Sequence, residues 1–174
     1  SCGALGINAA HELGHRVNTL DRVLARVLLS TSLYLHFFVE HNRGHHKRAA
    51  TPEDPASARR GETLFAFFVR SIAGSWTSAW RLETERLAKS GRGPWSLRNE
   101  LVWGALAQAG LVALAWWAFG ATAAAAFVGA AFVGILLLEN VNYIEHYGLV
   151  RARKVGGAYE RVEPRHSWNS NHPL

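Results

Sequence analysis

The stretch LVWGALAQAGLVALAWWAFGATAAAAFVGAAFVGILLL, residues 101–138, contains no charged residue and is bracketed by Glu100 and Glu139. As one straight helix it would be about 57 Å long, at about 1.5 Å per residue. A bilayer core is about 30 Å thick, and about 20 helical residues cross it. The run is therefore too long for one crossing but suits two, with Gly120 as a break near its midpoint. We predict a membrane-embedded helical hairpin over about residues 100–140; the alternative is a buried helix pair in a soluble core.

Basic residues flank this run on both sides, whereas its midpoint carries no Lys or Arg. Since positively charged flanks stay in the cytoplasm, both ends of the hairpin are predicted to face the cytoplasm and its turn to face outward. We therefore expect an all-α, multi-pass transmembrane helical protein whose polar segments lie on the cytoplasmic side. The flanking residues are Arg81, Arg86, Lys89, Arg92 and Arg98 before the run, and Arg151, Arg153 and Lys154 after it.

The composition of the 174-residue chain excludes some kinds of protein and of binding partner. One cysteine, Cys2, excludes an internal disulfide and a CxxC metal site. The formal net charge of +6 suits membrane lipid or an acidic protein partner, and we expect no nucleic-acid partner. The chain has no methionine, opens in a helical pattern and stops at NHPL. We interpret it as an internal segment of a longer protein.

Histidines are concentrated in short motifs. In HELGH (11–15) two of them are four residues apart, which on a helix places both imidazoles on one face. HELGH alone also matches the HExxH zinc-protease pattern, with Glu12 as general base. That interpretation gives no role to the histidines of EHNRGHH (40–46) and NYIEH (142–146). Six imidazoles suit a pair of metal ions better than one: His11, His15, His41, His45, His46 and His146.

Other polar residues lie beside these motifs. Carboxylates next to metal-bound histidines commonly hold the second ring nitrogen in place. The candidates for that role are Glu12, Glu40, Glu139, Glu145 and, among the histidines, His166. A direct bond from one of the carboxylates to metal stays open as an alternative. His36 matches no motif, and we interpret it as a packing residue.

The path between the first two motifs is constrained by distance. A straight helix over the 25 residues between His15 and His41 would separate them by nearly 40 Å. Residues 16–40 must therefore bend back or lie along the membrane interface. Residues 51–62 (TPEDPASARRGE) are typical of a cytoplasmic loop, and residues 64–80 of an amphipathic helix at the interface.

The blocks HELGH, EHNRGHHKRAATPEDPASARRGE, NYIEHYGL and RHSWNSN resemble, in order and spacing, the bacterial integral-membrane alkane hydroxylases. These belong to the histidine-box group of membrane desaturases and hydroxylases, and the resemblance covers nearly the whole chain. It implies one partial membrane di-iron hydroxylase domain over residues 1–174, located in the bacterial inner membrane. It also implies that the six histidines bind two non-haem iron ions on the cytoplasmic side. The family's third histidine box, of the HSDHH type, is absent here, so we expect the chain alone to be inactive.

The same resemblance implies a reaction and its partners. The expected activity is terminal hydroxylation of medium- or long-chain n-alkanes to 1-alkanols with O₂. Electrons are expected from a rubredoxin, served by its reductase and NADH. A cleft for the alkane is expected beside the hairpin, although aromatic residues there are also ordinary packing or lipid-facing residues. The candidates to line it are Trp103, Trp116, Trp117, Phe127 and Phe132.

Three other functions are compatible with parts of the pattern. A fatty-acyl desaturase or hydroxylase of the same group shares the histidine boxes, but NYIEHYGL and the TPEDP loop favour the alkane enzyme. A membrane zinc protease would use HELGH alone. A non-enzymatic membrane protein that stores metal on histidines would need no substrate cleft. Metal content separates these alternatives.

Overall fold

The computed structural model describes residues 2–14, 16 and 18–168, without the side chains of residues 2–5, 8 and 11. This part of the chain is all-helical, which confirms the predicted class, and it has no strand beyond one bridge between Arg153 and Tyr159. In chain order the elements are α1 (Cys2–Gly14), α2 (Thr19–Thr31), α3 (His36–Glu40), a π-helix (His41–His45), α4 (His46–Arg48), α5 (Leu64–Ala88), α6 (Glu100–His146) and a 3₁₀ turn (Pro164–His166).

Helix α6 is long and apolar enough to cross a membrane, and only 22% of its most apolar window is buried. Its backbone leaves helical geometry at Gly120, where φ is 84° and ψ is 174°. Glu100 at its start bonds to Arg43 at 2.7 Å, and the ring of His146 at its end lies 4.8 Å from that of His45. A straight helix of 47 residues would be about 70 Å long and could not reach both. The chain therefore reverses at Gly120, giving a first arm (100–119) and a second arm (121–146).

The core forms where α1, α2 and α3 meet α6. Tyr34, Phe37 and Phe38 pack there against Leu138 of the second arm. The first arm approaches the same region closely, because a Cβ on Gly104 would collide with the side chain of Leu35. Both arms are thus packed against the short segment that leads into the π-helix.

The chain bends between α2 and α3. Helix α2 ends at Thr31, Leu33 has a φ of 54°, and α3 begins at His36. This agrees with the prediction that residues 16–40 do not form one straight helix. The bend also returns the chain toward α6, so that the π-helix begins beside the second arm.

Helix α5 is longer than the helix predicted over residues 64–80, and its sidedness is unusual. Its buried face carries the serines Ser71, Ser75 and Ser78, whereas Phe65 and Val69 are 79% and 74% exposed. Small polar side chains thus share the buried face with Phe67 and Leu87, whereas other large apolar side chains face outward. That arrangement is costly in water and is expected of a helix whose outer face lies in an apolar environment.

Ion pairs and hydrogen bonds of charged residues connect α5 and the start of α6 to the π-helix. Glu83 is fully buried and accepts hydrogen bonds from Arg43, from Arg86 at 2.7 and 2.8 Å, and from the backbone N–H of Glu100 at 2.9 Å. Burial alone would raise the pKa of Glu83, but these donors outweigh burial and lower it. Glu100 also binds Arg26 at 2.9 Å. The network holds Arg43, and with it the turn that carries His41 and His45.

Candidate metal centre

The π-helix brings His46 to the side of the turn that carries His41 and His45. In an α-helix His41 and His45, four residues apart, would share a face, and His46 would be turned about 100° away from His45. In the structure the turn is a π-helix, whose i→i+5 hydrogen bonds place residues five apart on one face. His46 Nε2 consequently lies 3.1 Å from His41 Nε2, and the His41 and His45 rings stack at 5.1 Å. Residues 41–45 thus form the π-helix, between α3, which ends at Glu40, and α4, which begins at His46.

A fourth histidine joins them from the second arm. His146 is the last residue of α6, and its ring lies 4.8 Å from that of His45. We refer to His41, His45, His46 and His146 as the histidine cluster. The four residues line one side of an open cleft of about 430 Å³. Residues of the segment 162–167 line another side of it. Two segments separated by about a hundred residues in sequence thus place their imidazoles in one cleft.

Two of these rings are oriented by acceptors on their Nδ1 atoms. His45 Nδ1 lies 2.9 Å from Asp54 Oδ2, and His146 Nδ1 lies 3.2 Å from the carbonyl oxygen of His166. Because a carboxylate and a carbonyl can only accept, each Nδ1 carries a hydrogen, so in the neutral ring it is Nε2 that has the lone pair. Metal-bound histidines are commonly held in this way.

Asp54 is itself fixed by its surroundings. It is 1% exposed and accepts a hydrogen bond from the Ser57 hydroxyl at 2.6 Å. Burial alone would raise the pKa of Asp54, but His45, the Ser57 hydroxyl and the Ala56 backbone N–H together hold it below its usual value. Asp54 is therefore a carboxylate at neutral pH, as its role as acceptor requires.

The donor set suits a metal that prefers nitrogen ligands, such as iron or zinc. Within the described residues, however, no group of three or more His, Cys, Asp or Glu side chains is arranged around one point as a metal site. Instead, the rings of the cluster stack or meet edge to edge. The side chain of His11 and all of His15 lie outside the described residues, so their ligand roles stay predictions. Four imidazoles are the type of ligand expected for the predicted metal centre. For their nitrogens to point at one metal ion, the rings would have to rotate from the positions seen here.

The structure gives most of the candidate carboxylates partners other than histidine. Glu40 accepts from Arg48 at 2.7 Å and from Ser78 at 3.2 Å. Glu139 accepts from Tyr34 and Ser71, and Glu145 accepts from Ser167. Glu12 is exposed on α1. Asp54, which was not among the predicted candidates, is a carboxylate that does bond to a ring of the cluster.

His166 contributes its backbone, since its carbonyl orients His146. Its side chain is used locally: Nδ1 accepts from the backbone N–H of Glu163 at 2.9 Å, and Nε2 lies 3.0 Å from Glu160. These contacts fix the 3₁₀ turn that presents the carbonyl. No side-chain pattern could have indicated this role, because any residue has a carbonyl.

The sequence contains a hint of the role of Asp54 as a partner of histidine, but the hint does not distinguish Asp54 from its neighbour Glu53. The loop 51–58, which lies in the segment predicted as a cytoplasmic loop, is buried except at Pro52 and Glu53. Asp54 and Glu53 are adjacent acids between two prolines, and sequence alone does not separate them. The backbone does, because it buries Asp54 beside His45 and leaves Glu53 exposed.

The five aromatic candidates lie apart from one another. Phe132 lines an apolar groove between α5 and the second arm. Trp116 and Trp117 are 64% and 85% exposed and lie near the turn at Gly120, and Trp103 is 37% exposed. Phe127 is half-buried on the second arm. They therefore do not form a single cleft in the described part of the chain.

Gly44 is required by the ion pair behind the π-helix. A Cβ at this position would collide with both Glu40 and Arg48, whose charged atoms are bonded to each other. We expect Gly44→Ala to lower the free energy of unfolding by about 2 kcal/mol, since overpacking at a buried site costs in that range. The measurement is thermal unfolding of the purified protein in detergent. Gly110→Ala is the matched control, because a Cβ on that helical glycine meets nothing; equal losses in both variants would contradict the argument.

Comparison with known proteins shows the family to which the chain belongs. A family model described as fatty acid desaturase matches residues 1–174. The chain is 47% identical over 171 residues to an alkane 1-monooxygenase of Acinetobacter baylyi, covering 96% of this chain and 41% of that protein. It is 43% identical to an alkane 1-monooxygenase of Ectopseudomonas oleovorans, covering 97% and 42%. It is 28% identical to the hydroxylase component of a xylene/toluene monooxygenase of Pseudomonas putida, covering 96% and 44%.

An all-helical chain with a histidine cluster beside a long apolar helix is what a membrane histidine-box enzyme requires. The chain belongs to the fatty acid desaturase family, because the family model matches its whole length. The relatives named alkane 1-monooxygenase are the more specific likeness, as the sequence motifs predicted. The chain spans about two fifths of the length of these curated relatives.

Proposed function

We propose that the intact protein hydroxylates the terminal carbon of medium- or long-chain n-alkanes at a centre of two non-haem iron ions. The observation that carries the proposal is the histidine cluster, in which Asp54 and the His166 carbonyl hold Nδ1–H of His45 and His146, so that Nε2 is the metal-binding nitrogen of each neutral ring. Similarity to two alkane 1-monooxygenases supports the choice of substrate. In this proposal His11, His15 and the four clustered histidines are iron ligands.

Iron would supply the O₂-dependent oxidation of a C–H bond, chemistry for which ordinary side chains are too weak. The residues of the chain supply the environment. Asp54 and the His166 carbonyl fix the tautomers of two rings, and the buried pair of Glu40 and Arg48 supports the turn that carries three of them. The proposal places this site on the cytoplasmic side of a multi-pass protein in the bacterial inner membrane. An apolar substrate would reach it from the bilayer, and a rubredoxin would deliver the electrons.

A desaturase of fatty-acyl chains is the second candidate, because the family model carries that description. A desaturase removes two hydrogens and leaves no oxygen in its product, whereas a hydroxylase retains one atom of O₂. The two candidates therefore differ in a measurable property of the product. The greater similarity to alkane 1-monooxygenases favours the hydroxylase.

The deciding experiment uses the intact protein purified from iron-supplied cells and reconstituted with rubredoxin, its reductase and NADH. Metal analysis is expected to give about two irons per protein. With dodecane and isotopically labelled O₂, mass spectrometry is expected to show 1-dodecanol carrying the label. A desaturated acyl product without label would support the second candidate. One zinc with peptide hydrolysis would overturn both.

A further inference from the structure

Arg151 is a buried arginine in the segment that follows α6. By sequence it belongs to the basic flank of the apolar run, together with Arg153 and Lys154. In the structure Arg153 and Lys154 are exposed, whereas Arg151 is only 6% exposed. An arginine stays charged in a protein, and burying a charge is costly unless it is well bonded. The burial of Arg151 is therefore not explained by a role as a basic membrane flank.

The guanidinium of Arg151 joins two segments that are far apart in sequence. Its Nη2 donates to the carbonyl oxygen of Lys47 at 2.6 Å, and its Nη1 donates to that of Glu160 at 2.9 Å. The backbone N–H of Arg151 donates to the carbonyl oxygen of Ala50 at 2.8 Å. Since both of these side-chain acceptors are backbone carbonyls, the guanidinium holds segments of chain together rather than neutralising an acid.

Each of the two segments carries or orients a ring of the histidine cluster. The first acceptor lies in α4, which begins with His46. The second acceptor belongs to Glu160, whose carboxylate lies 3.0 Å from His166 Nε2. The carbonyl oxygen of His166 in turn lies 3.2 Å from His146 Nδ1. Arg151 is therefore bonded both to the helix that carries His46 and to the residue whose carboxylate holds the turn that orients His146.

We propose that Arg151 is a positioning residue for the metal centre, and that it fixes the distance between α4 and the segment 160–166. A guanidinium is planar and has its donors at fixed angles, so two bonds to it define the relative position of both acceptors. Arg151 does not itself line the cleft of the histidine cluster, so it acts on the rings through the backbone. The inference deepens the proposed function and rests on it for the identity of the metal.

Two simpler roles of Arg151 are separable from this one. Docking of an acidic partner requires an exposed guanidinium, which Arg153 has and Arg151 lacks. A contribution to folding alone would change the unfolding temperature, but it would leave the geometry and metal affinity of the folded protein as they are. A positioning role changes the distance between the two segments and, through it, the affinity for metal.

The first test measures that distance in the metal-depleted, intact protein in lipid nanodiscs. Nitroxide labels are attached to Lys47→Cys and Arg161→Cys, two exposed positions, with every other cysteine replaced by serine. Double electron–electron resonance is expected to give one narrow distance with Arg151 present. Arg151→Met keeps an unbranched stem but removes the donors, and is expected to broaden the distribution. An equally narrow distribution at the same distance in folded Arg151→Met would overturn the proposal.

The second test is an anaerobic titration of the unlabelled protein with ferrous iron. Arg151→Met is expected to weaken iron binding about tenfold, the lower end of what loss of an outer partner of a metal ligand costs. Arg153→Met is the matched control, because Arg153 is exposed and its guanidinium bonds to the Tyr159 hydroxyl at 3.1 Å instead. The control should match wild type in both tests, and an equal loss in both variants would contradict the assigned role.

A conservative variant covers the case in which Arg151→Met does not fold. Arg151→Lys keeps the charge but lacks the planar fork, and is expected to lie between wild type and Arg151→Met in distance distribution and in iron affinity. Full recovery by lysine would show that charge alone suffices and would overturn the assignment of two directed bonds. If the wild-type protein bound no iron, the proposed function would fail, while the distance measurement would still decide whether Arg151 holds the two segments.

Discussion

Replacing His45 with alanine in the intact protein is expected to lower alkane hydroxylation by more than about 100-fold. Loss of an outer partner of a metal ligand already costs about 10- to 100-fold in activity or metal affinity, and loss of a ligand costs more. His45 is the histidine of the cluster with the most contacts to the other three: its ring lies within 6.0 Å of those of His41, His46 and His146. The readouts are 1-dodecanol formed from dodecane and iron bound per protein.

The His45→Ala variant needs a control for the stability of the π-helix. Lys47 lies two residues further along on an exposed position of α4, so Lys47→Ala changes the same segment without touching a ring. We expect its iron content and activity to match those of wild type. If His45→Ala retained near wild-type activity and iron, His45 would not be a ligand, and the proposed centre would be misplaced.

Asp54→Asn is expected to have the second largest effect, a loss of about 10- to 100-fold in iron affinity or activity. The substitution keeps the shape of the side chain but removes the charge that orients His45. An amide can also present an N–H group to Nδ1, which would shift the ring hydrogen to Nε2 and remove the lone pair needed for a metal. The measurement is a titration of the purified, metal-depleted protein with ferrous iron under anaerobic conditions.

Glu53, the acid next to Asp54, provides the control for the Asp54→Asn variant. Glu53 is adjacent in sequence and equal in charge, but it is exposed. Glu53→Gln therefore removes the same charge from the same loop and should leave iron affinity unchanged. A similar loss in both variants would show that the loop acts through its general charge, and the specific contact between Asp54 and His45 would lose its support.

The helical class and the histidine motifs could be predicted because they depend on local patterns. A run of 38 uncharged residues has few structural solutions, and the histidines of EHNRGHH were recognisable as a group. The π-helix could not be predicted, since α and π turns differ by one residue per hydrogen bond and tertiary contacts decide between them. Here Arg43, within the turn, bonds to Glu83 and Glu100, which are far from it in sequence.

The partners of buried charges were the least predictable part. Glu40, Glu139 and Asp54 are all buried acids near histidine motifs, and within the described residues it is Asp54 for which a bond to a ring of the cluster is seen. Which acid does so depends on where a loop folds back over the turn. Sequence proximity favoured Glu40, whose carboxylate instead binds Arg48 across the crowded side of Gly44.

The reversal at Gly120 has a mechanical consequence. The two arms of α6 return to the same short turn: Glu100 binds Arg43, and His146 packs on His45 two residues later. Both arms of the hairpin are thus in contact with the π-helix. A change in the angle between the two arms would therefore change the spacing of these imidazole rings.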